Sequence, residues 1–497
     1  MKRNLTYRLC AWAGIGVLFV ASGCDNFLDV APDNRVKLDD FEKSAQLLTN
    51  AYSIASPAFT DWMTDNVGFT TGVTIRPAQQ QAYEWEDITT GPTELDTPDF
   101  FWFETYNAIA HANEVLAELN NLPVENDEDE AHKDAIEAEA KLARAYGHFM
   151  LVNMFGQHFT IDDGEDGVPY VKTPETVFIE TYKRESVRKV YREVEDDLED
   201  GLEMVDDSYY NNSGKYHFNK NAALAFASRY YLWKGEPFDC IEYSSQLLGS
   251  NPGRYVRDMT SDEFQNAKSS ITGYPQLYTS PDLPANILLM RKISLVQRTD
   301  FAHGPLDEDY SDLFAANLFP STTDERENPA FVKGDNGLLP VRFQSLFERS
   351  SLNSNVGTPY HIAISFSGEE VLLNRAEAYV LVNNLDAALA DLQTFVSRRY
   401  SGGSTDLTYA RLRAFFGANN DPDFTDQLIL LNYILFERQK EFIIQGMRWF
   451  DIKRYGLSVT HNLADGSTIR LESNDKRKIF QIPQSAQDVG GLEPNDR

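Results

Sequence analysis

Apolar residues recur at helical spacing along much of the chain. One stripe starts in an aromatic segment and has successive spacings of four, three, four and three residues; its members are Trp102, Tyr106, Ile109, Asn113 and Leu116. Such spacing places all five on one face of an α-helix. Since Trp102 belongs to this apolar stripe, we expect it to lie in the core.

A second, longer helix is predicted from His132 to Phe155. Its stripe consists mostly of small residues: Ile136, Ala140, Ala143, Gly147 and Met150. Small side chains allow close approach of a neighbouring helix. Further helices are predicted over about 185–205, over 221–234 and after Pro237, where the chain turns back on itself.

Two segments share the order of large, small, Tyr, turn and small residues that is typical of tetratricopeptide helix pairs. They consist of Leu224, Ser228, Tyr231, Gly235 and Cys240, and of Leu372, Ala376, Tyr379, Asn383 and Ala388. Gly and Asn both tolerate the left-handed conformation that ends a helix. The pattern predicts a mainly α fold, and it places Cys240 in the core as an unreactive thiol.

Three long stretches lack a sustained period and are rich in Gly, Pro, Ser, Thr and Asn: residues 53–99, 251–365 and 457–497. We expect them to be irregular loop regions, and long loops in a compact domain are usually functional. No low-complexity linker divides the chain. The sequence therefore predicts a single domain over 24–497, with the helical scaffold mainly within 36–250 and 366–456.

The first residues indicate export. Lys2, Arg3 and Arg8 precede an apolar stretch that is too short to span a membrane, and small residues lie directly before Cys24. This pattern predicts a signal peptide over 1–23 and a lipobox, with Cys24 as the diacylated first residue of the mature chain. A secreted protein without a lipid is the alternative.

Cysteine content and charge narrow the function further. Of three cysteines, Cys10 leaves with the signal peptide and Cys24 carries the lipid, so Cys240 has no partner for a disulfide. The formal net charge is −31, and about −34 once the basic residues of the signal peptide are removed. Such a surface repels nucleic acid and disfavours polyanionic glycans.

The carboxyl-terminal helix ILFERQKEFIIQGMRWFDIKRYG, over residues 434–456, resembles the signature of the SusD/RagB family. Other segments are similar to that family in the expected order: CDNFLDVAP after the lipobox, the Trp102 helix, AEAKLARAYGHFMLVNMFG, AEAY at 376–379 and IPQS at 482–485. Within the signature, the spacing of Arg448, Asp451 and Arg454 predicts a carboxylate between two guanidiniums on one helical face.

The resemblance implies four tetratricopeptide-like helix pairs that pack on the extracellular face of a SusC-like barrel. It implies a lipid-anchored protein of the outer membrane that faces the cell exterior, binds oligosaccharides without catalysis and delivers them to that TonB-dependent transporter. In RagB-like members the ligand is a peptide. The sequence leaves two further functions open: a surface glycosidase, and a scaffold that binds only protein partners.

Motifs for catalysis, metal binding or cofactor binding are missing from the sequence, so no catalytic residue, metal or cofactor is expected. Paired carboxylates of a glycosidase, however, cannot be located by sequence. For sugar binding, exposed aromatic rings and polar side chains in the irregular regions are the candidates. They are Trp62, Asp65, Asn66, Arg76, Tyr83, Trp85, Tyr274, Tyr278 and Tyr310. Each ring could instead bury its loop against the scaffold.

Overall fold

Helix–turn–helix pairs form the body of the protein. The computed structural model describes residues 38–159, 164–177, 180–210, 212–299, 301–327, 330–419 and 421–497, and residues 40–497 form one compact unit. The α-helices are α1 (Phe41–Leu48), α2 (Pro77–Tyr83), α3 (Pro98–Leu119), α4 (Asp127–Phe155), α5 (Val187–Met204), α6 (Lys220–Lys234), α7 (Pro237–Leu248), α8 (Asp262–Ala267), α9 (Gly273–Tyr278), α10 (Asp307–Ala315), α11 (Gly368–Leu381), α12 (Leu385–Val396), α13 (Tyr409–Phe415), α14 (Asp426–Glu441), α15 (Met447–Arg454) and α16 (Gln484–Asp488).

The predicted long helices and the mainly α fold class are confirmed. Helix α3 packs on α4, α4 packs on α5, α6 pairs with α7, and α11 pairs with α12. Close packing of α4 depends on small residues, as its stripe predicted: a Cβ on Gly147 would lie 2.9 Å from Cγ1 of Ile109. A side chain at Gly201 of α5 would likewise meet Leu142 of α4 at 2.5 Å.

The two tetratricopeptide-like pairs turn where the sequence predicted. Gly235 ends α6 with a φ of 85°, and Asn383 follows α11 with a φ of 59°. Cys240 on α7 is fully buried, and its Sγ lies 3.7 Å from the carbonyl oxygen of Asn374 on α11. Burial raises the pKa of the Cys240 thiol to about 12. The thiol is therefore protonated and enclosed at neutral pH, as expected for a core residue.

The loop regions are more regular than predicted. Their strands are β1 (Gly68–Phe69), β2 (Asn286–Lys292), β3 (His303–Gly304), β4 (Thr323–Asp324), β5 (Ala330–Lys333), β6 (Gly337–Pro340), β7 (Ser345–Arg349), β8 (Gly357–Ser367), β9 (Tyr400–Ser401), β10 (Val459–Asn462) and β11 (Thr468–Leu471). An antiparallel sheet in the order β2, β8, β7 crosses the stretch 251–365. The prediction of irregular chain is wrong there, because β2 is a short, almost wholly buried apolar run that carries no alternation.

A buried ionic network fastens the second loop region to the helices. Arg326 donates to Asp324 and Glu437 at 2.6 Å each. Arg399, which follows α12, donates from Nε to Glu441 of α14 at 2.9 Å and from Nη2 to Glu369 of α11 at 3.0 Å. All of these side chains are almost fully buried. The network therefore links helices α11 and α14, and the end of α12, to the second loop region.

Candidate functional site

A cleft of about 430 Å³ opens between the first loop region, helix α10 and the β10–β11 hairpin. We refer to it as the loop cleft. Its lining residues are Asp65, Asn66, Val67, Gly68, Phe69, Tyr83, Leu306, Asp309, Tyr310, Asp312, Leu313, Gln439, Ile443, Thr460, His461, Asn462 and Leu463. A volume of this size lies within the range of about 300–1,000 Å³ that small-molecule sites occupy.

Short backbone pairings hold the walls of the loop cleft together. Strand β1 pairs with β3, with Gly68 opposite Gly304. A Cβ on Gly68 would lie 2.5 Å from Cδ1 of Leu306, so glycine permits the first loop region to approach the start of α10. In β10, burial alternates along the strand, and Thr460 and Asn462 are the exposed residues. The hairpin therefore turns one polar face outward and one buried face toward the core.

Stacked rings support the hairpin from beneath. The imidazole of His461 lies between the rings of Tyr83 and Trp85, with centroid distances of 4.0 and 4.4 Å. Tyr83 donates its hydroxyl to the Asn462 carbonyl at 2.9 Å, and the Trp85 indole donates to the Met63 carbonyl at 3.0 Å. The polar atom of each ring is thus satisfied inside the protein. Burial lowers the pKa of His461, and the carbonyls of Tyr83 and Thr64, at 2.7 and 2.9 Å from its two ring nitrogens, oppose that shift.

The signature segment 434–456 was predicted as one helix, but it divides into the end of α14 and α15, and Gly446 between them has a φ of 79°. Asp65 is bound to α15. Arg448 donates to both of its carboxylate oxygens, at 2.8 and 2.7 Å. Burial alone would raise the pKa of Asp65, but the Arg448 guanidinium holds it below its usual value. The predicted arrangement of Arg448, Asp451 and Arg454 is therefore only partly correct. Asp451 does receive Arg454 at 2.7 Å, but its second partner is Arg438 at 2.9 Å.

The remaining polar groups of the loop cleft are mostly acids and amides. Asp309 and Asp312 are exposed on α10, and burial, followed by repulsion from Asp312, raises the pKa of Asp309. Gln439 donates to Oδ1 of Asn66 at 3.1 Å. None of the residues that line the loop cleft in the described part of the chain is Lys or Arg. The arrangement offers hydrogen-bond acceptors and amides to a ligand, with no free cation.

The loop cleft brings together Asp65, Asn66, Tyr83 and Tyr310 from the nine predicted binding residues, and the other five do not line it. The expectation that the six predicted rings are exposed is wrong. Their exposed fractions are 4% or less: Trp62, Tyr83, Trp85, Tyr274, Tyr278 and Tyr310. The physical reason is that Trp62, Tyr83, Trp85 and Tyr310 pack into the main hydrophobic core, while Tyr274 and Tyr278 pack into a smaller separate one.

The five predicted residues outside the loop cleft have structural contacts. Trp62 packs edge-on against Phe301, and Arg76 lies over the same ring at 5.4 Å. Trp85 stacks beneath the hairpin. Tyr274 and Tyr278 belong to a small separate core. The four aromatic residues among them were predicted to be exposed because each has polar neighbours in the sequence.

The sequence interpretation missed several residues that line the loop cleft, notably Asp309, Asp312, Thr460 and Asn462. One weak signal exists, because the two acids flank Tyr310 in a segment rich in acidic residues. The segment from Val459 to Asn462 gives none, because its burial alternates while its sequence does not alternate apolar and polar residues. Cys24 and the predicted signal peptide lie outside the described residues. Among the described residues, no helix has the length and apolar character needed to cross a bilayer.

Comparison with protein families gives two matches. Residues 26–232 match a SusD-like family described as starch-binding and associating with the outer membrane. Residues 369–489 match the SusD family model. A SusD-like protein of Formosa agariphila is 22% identical over 398 residues, which cover 72% of this chain and 71% of that protein.

Solved structures share the fold over almost the whole chain. A SusD superfamily protein of Bacteroides thetaiotaomicron has a TM-score of 0.68 at 19% identity, covering 92% of this chain and all of that one. A SusD-like carbohydrate-binding protein of Bacteroides vulgatus has a TM-score of 0.66 at 17% identity, covering 91% and 97%. A laminarin-binding SusD-like protein has a TM-score of 0.61 at 16% identity, covering 92% and 99%.

Proposed function

The chain belongs to the SusD/RagB family, and we propose that it is a non-catalytic lipoprotein of the outer membrane that captures oligosaccharides at the cell surface. It passes them to a SusC-like TonB-dependent transporter. The description of the matched family as starch-binding and outer-membrane-associated supports the glycan and the location. The laminarin-binding relative of similar fold supports the same class of ligand.

The observation that carries this proposal is the composition of the loop cleft. A sugar presents many hydroxyls. In binding sites these hydroxyls form hydrogen bonds with carboxylates, amides and hydroxyl side chains of the protein. Asp309, Asp312, Thr460 and Asn462 supply these groups on two separate walls. The buried rings beneath the hairpin hold one wall in place, which limits the entropy lost on binding.

Charge favours a neutral glycan over a peptide or an acidic glycan. Uronates, sulfated sugars and the carboxyl terminus of a peptide all need a cationic partner when they are removed from water. The described lining of the loop cleft has no Lys or Arg, and Arg448 nearby is occupied by Asp65. A peptide ligand, as in RagB-like members, is therefore less well supported than a neutral oligosaccharide.

The state of the carboxylates favours binding over hydrolysis. A glycosidase needs one carboxylate that is free to act as nucleophile or base and a second that is protonated. Asp65 has both oxygens bound by Arg448. Asp309 and Asp312 lie on one wall, three positions apart on the same helix, rather than on opposite sides of a sugar. We therefore expect binding without turnover.

Calorimetry on the mature chain with laminarin-derived and starch-derived oligosaccharides tests the proposal. Losing a hydrogen bond from a charged group costs about 1.5–3 kcal/mol. Asp309→Ala and Asp312→Ala should therefore each weaken binding by roughly tenfold or more. Glu308→Gln is the matched control, because Glu308 is an exposed acid on the same helix outside the cleft lining.

Two outcomes would contradict the proposal. One is unchanged affinity of both Asp variants for every sugar that the wild-type chain binds at this site. The other is release of shorter products, measured by chromatography after long incubation, which would move the protein to the glycosidase class.

A further inference from the structure

A second cleft lies on the helical scaffold and shares no lining residue with the loop cleft. Its volume is also about 430 Å³, and it opens between the end of α1, the middle of α3 and strand β2. We call it the scaffold cleft. The lining groups that matter here are Asn50, Glu104, Asn107, His111, Tyr216 and Arg291.

Tyr216 gives the scaffold cleft an exposed aromatic ring. The residue is 40% exposed, whereas the six rings predicted as binding residues are buried. It ends a short 3-10 turn, Gly214–Tyr216, that is fixed by side chains on both sides. Asn219 donates to the Gly214 carbonyl at 2.6 Å, and Lys215 donates to the Asn286 carbonyl at 2.5 Å. A ring presented by a pinned turn offers a flat surface at low entropic cost.

Helix α3 supplies polar groups from one face. Glu104, Asn107 and His111 are spaced by three and four positions, so they lie along the same side of a helix that packs on the scaffold with its opposite side. Burial raises the pKa of Glu104, and Asn107 opposes that shift with a hydrogen bond. Burial lowers the pKa of His111, so its ring is neutral at pH 7. The three side chains combine an acceptor, an amide and an imidazole.

Arg291 on β2 has a hydrogen-bonding group without a partner. Its Nε is buried and bonds to no atom of the described chain. The rest of the guanidinium is engaged, because it pairs with Glu348 at 2.5 Å and lies 4.6 Å from the ring centroid of Tyr360. Because Nε has no accessible surface, a ligand in the scaffold cleft does not reach it. Arg291 instead forms part of the wall of the cleft, and because Glu348 already balances its charge, it does not select an anionic ligand.

We propose that the scaffold cleft is a second binding site for a short neutral oligosaccharide, separate from the site of the proposed function. The ring of Tyr216 stacks on the apolar face of a sugar. Glu104, Asn107 and His111 bond its hydroxyls, and Arg291, whose charge is balanced by Glu348, forms part of the wall. Two sites on one chain would let the protein hold a longer glycan or two strands more tightly than either site alone.

Calorimetric stoichiometry tests this inference with laminarin-derived and starch-derived oligosaccharides as probes. The wild-type mature chain should bind two molecules of a short probe. Tyr216→Ala and Asn107→Ala should each abolish or weaken one of the two events by at least tenfold. The melting temperatures of both variants should stay close to that of the wild type, because Tyr216 and Asn107 are exposed.

Phe103→Ala is the matched control, because Phe103 is 52% exposed on the same helix, one turn before Asn107, and does not line the scaffold cleft. It should leave two binding events. A single event in the wild type that Tyr216→Ala does not change overturns the inference, as does the absence of binding by every probe. A single event that is lost in Tyr216→Ala but kept in Asp309→Ala overturns the loop cleft instead and leaves the scaffold cleft standing.

Discussion

Replacing Arg399 with Ala is expected to destabilise the protein far more than replacing its neighbour Arg398. The side chain of Arg399 is fully buried and donates to Glu441 at 2.9 and 3.0 Å and to Glu369 at 3.0 Å. Burial alone would raise the pKa of Glu441, but Arg399 and Arg326 lower it to about 2. Glu441 is therefore a buried carboxylate that depends on these guanidiniums for its charge.

The structure sets the size of the effect. In Arg399→Ala, Glu369 keeps Arg257 at 2.8 Å, whereas Arg326 at 3.5 Å is the one ion-pair partner that Glu441 keeps among the described residues. Breaking a buried ion pair in this way costs about 3–5 kcal/mol. At about 2.1 cal/mol/K of unfolding entropy per residue, a chain of this length loses roughly 1 °C of Tm per kcal/mol. We expect a decrease of about 3–5 °C in a thermal melt.

Arg398→Ala is the matched control. Arg398 pairs with Asp258 at 3.2 Å, and both side chains are a third or more exposed, so the loss should be about 1 kcal/mol or less. Adding Glu441→Gln to Arg399→Ala should recover part of the loss, because it removes the uncompensated charge. Equal melting temperatures for the two arginine variants would refute the argument that the network holds the second loop region in place.

Three further predictions follow from other parts of the chain. Cys24→Ala should release the protein from the outer-membrane fraction of cells that lack the transporter; retention there would exclude the lipid anchor. Trp102→Ala should lower the free energy of unfolding by about 3–5 kcal/mol in a denaturant melt, because its ring packs edge-on against Phe155 at 4.8 Å. Trp85→Ala should also destabilise the fold, because the ring is buried, although its polar neighbours in the sequence predicted an exposed ring. Burial lowers the pKa of His148 to about 3, and its Nε2 accepts from the Val171 amide at 3.0 Å, so only the unfolded chain gains this proton below pH 6.5. Stability should therefore fall by up to about 1.4 kcal/mol per pH unit from this group, and the fall between pH 6.5 and 5 should be shallower in His148→Gln.

The helical scaffold was predictable because its information is local. The stripe that contains Trp102, the small residues around Gly147 and the turn residues Gly235 and Asn383 each specify a conformation or a close contact within a few residues. The structure places all of them as predicted. The conformations that these local patterns favour are the ones found in the folded protein. The fold class and the helix pairs could therefore be predicted without knowledge of any tertiary contact.

The loop regions were less predictable because their order depends on distant partners. Asp65 is fixed by Arg448, and His461 is enclosed by Tyr83 and Trp85. Arg448 and His461 are each hundreds of residues away in the chain from the residues that they contact. A ring among polar neighbours looks exposed in a sequence. Whether it stacks on a sugar or on an imidazole is decided by which segment folds over it, and no local period records that.

The buried rings change what the loop cleft can recognise. If the aromatic side chains of the first loop region were exposed, affinity would come mainly from stacking, and many sugars would bind alike. Because Tyr83 and Trp85 instead hold the hairpin in place, selectivity at the proposed sugar site would depend on hydrogen bonds that Asp309 and Asp312 accept and on the side chains of Thr460 and Asn462. Stacking is available instead at Tyr216 in the scaffold cleft. A glycan that contacts both clefts would then be chosen by hydroxyl pattern at one and held by an apolar sugar face at the other.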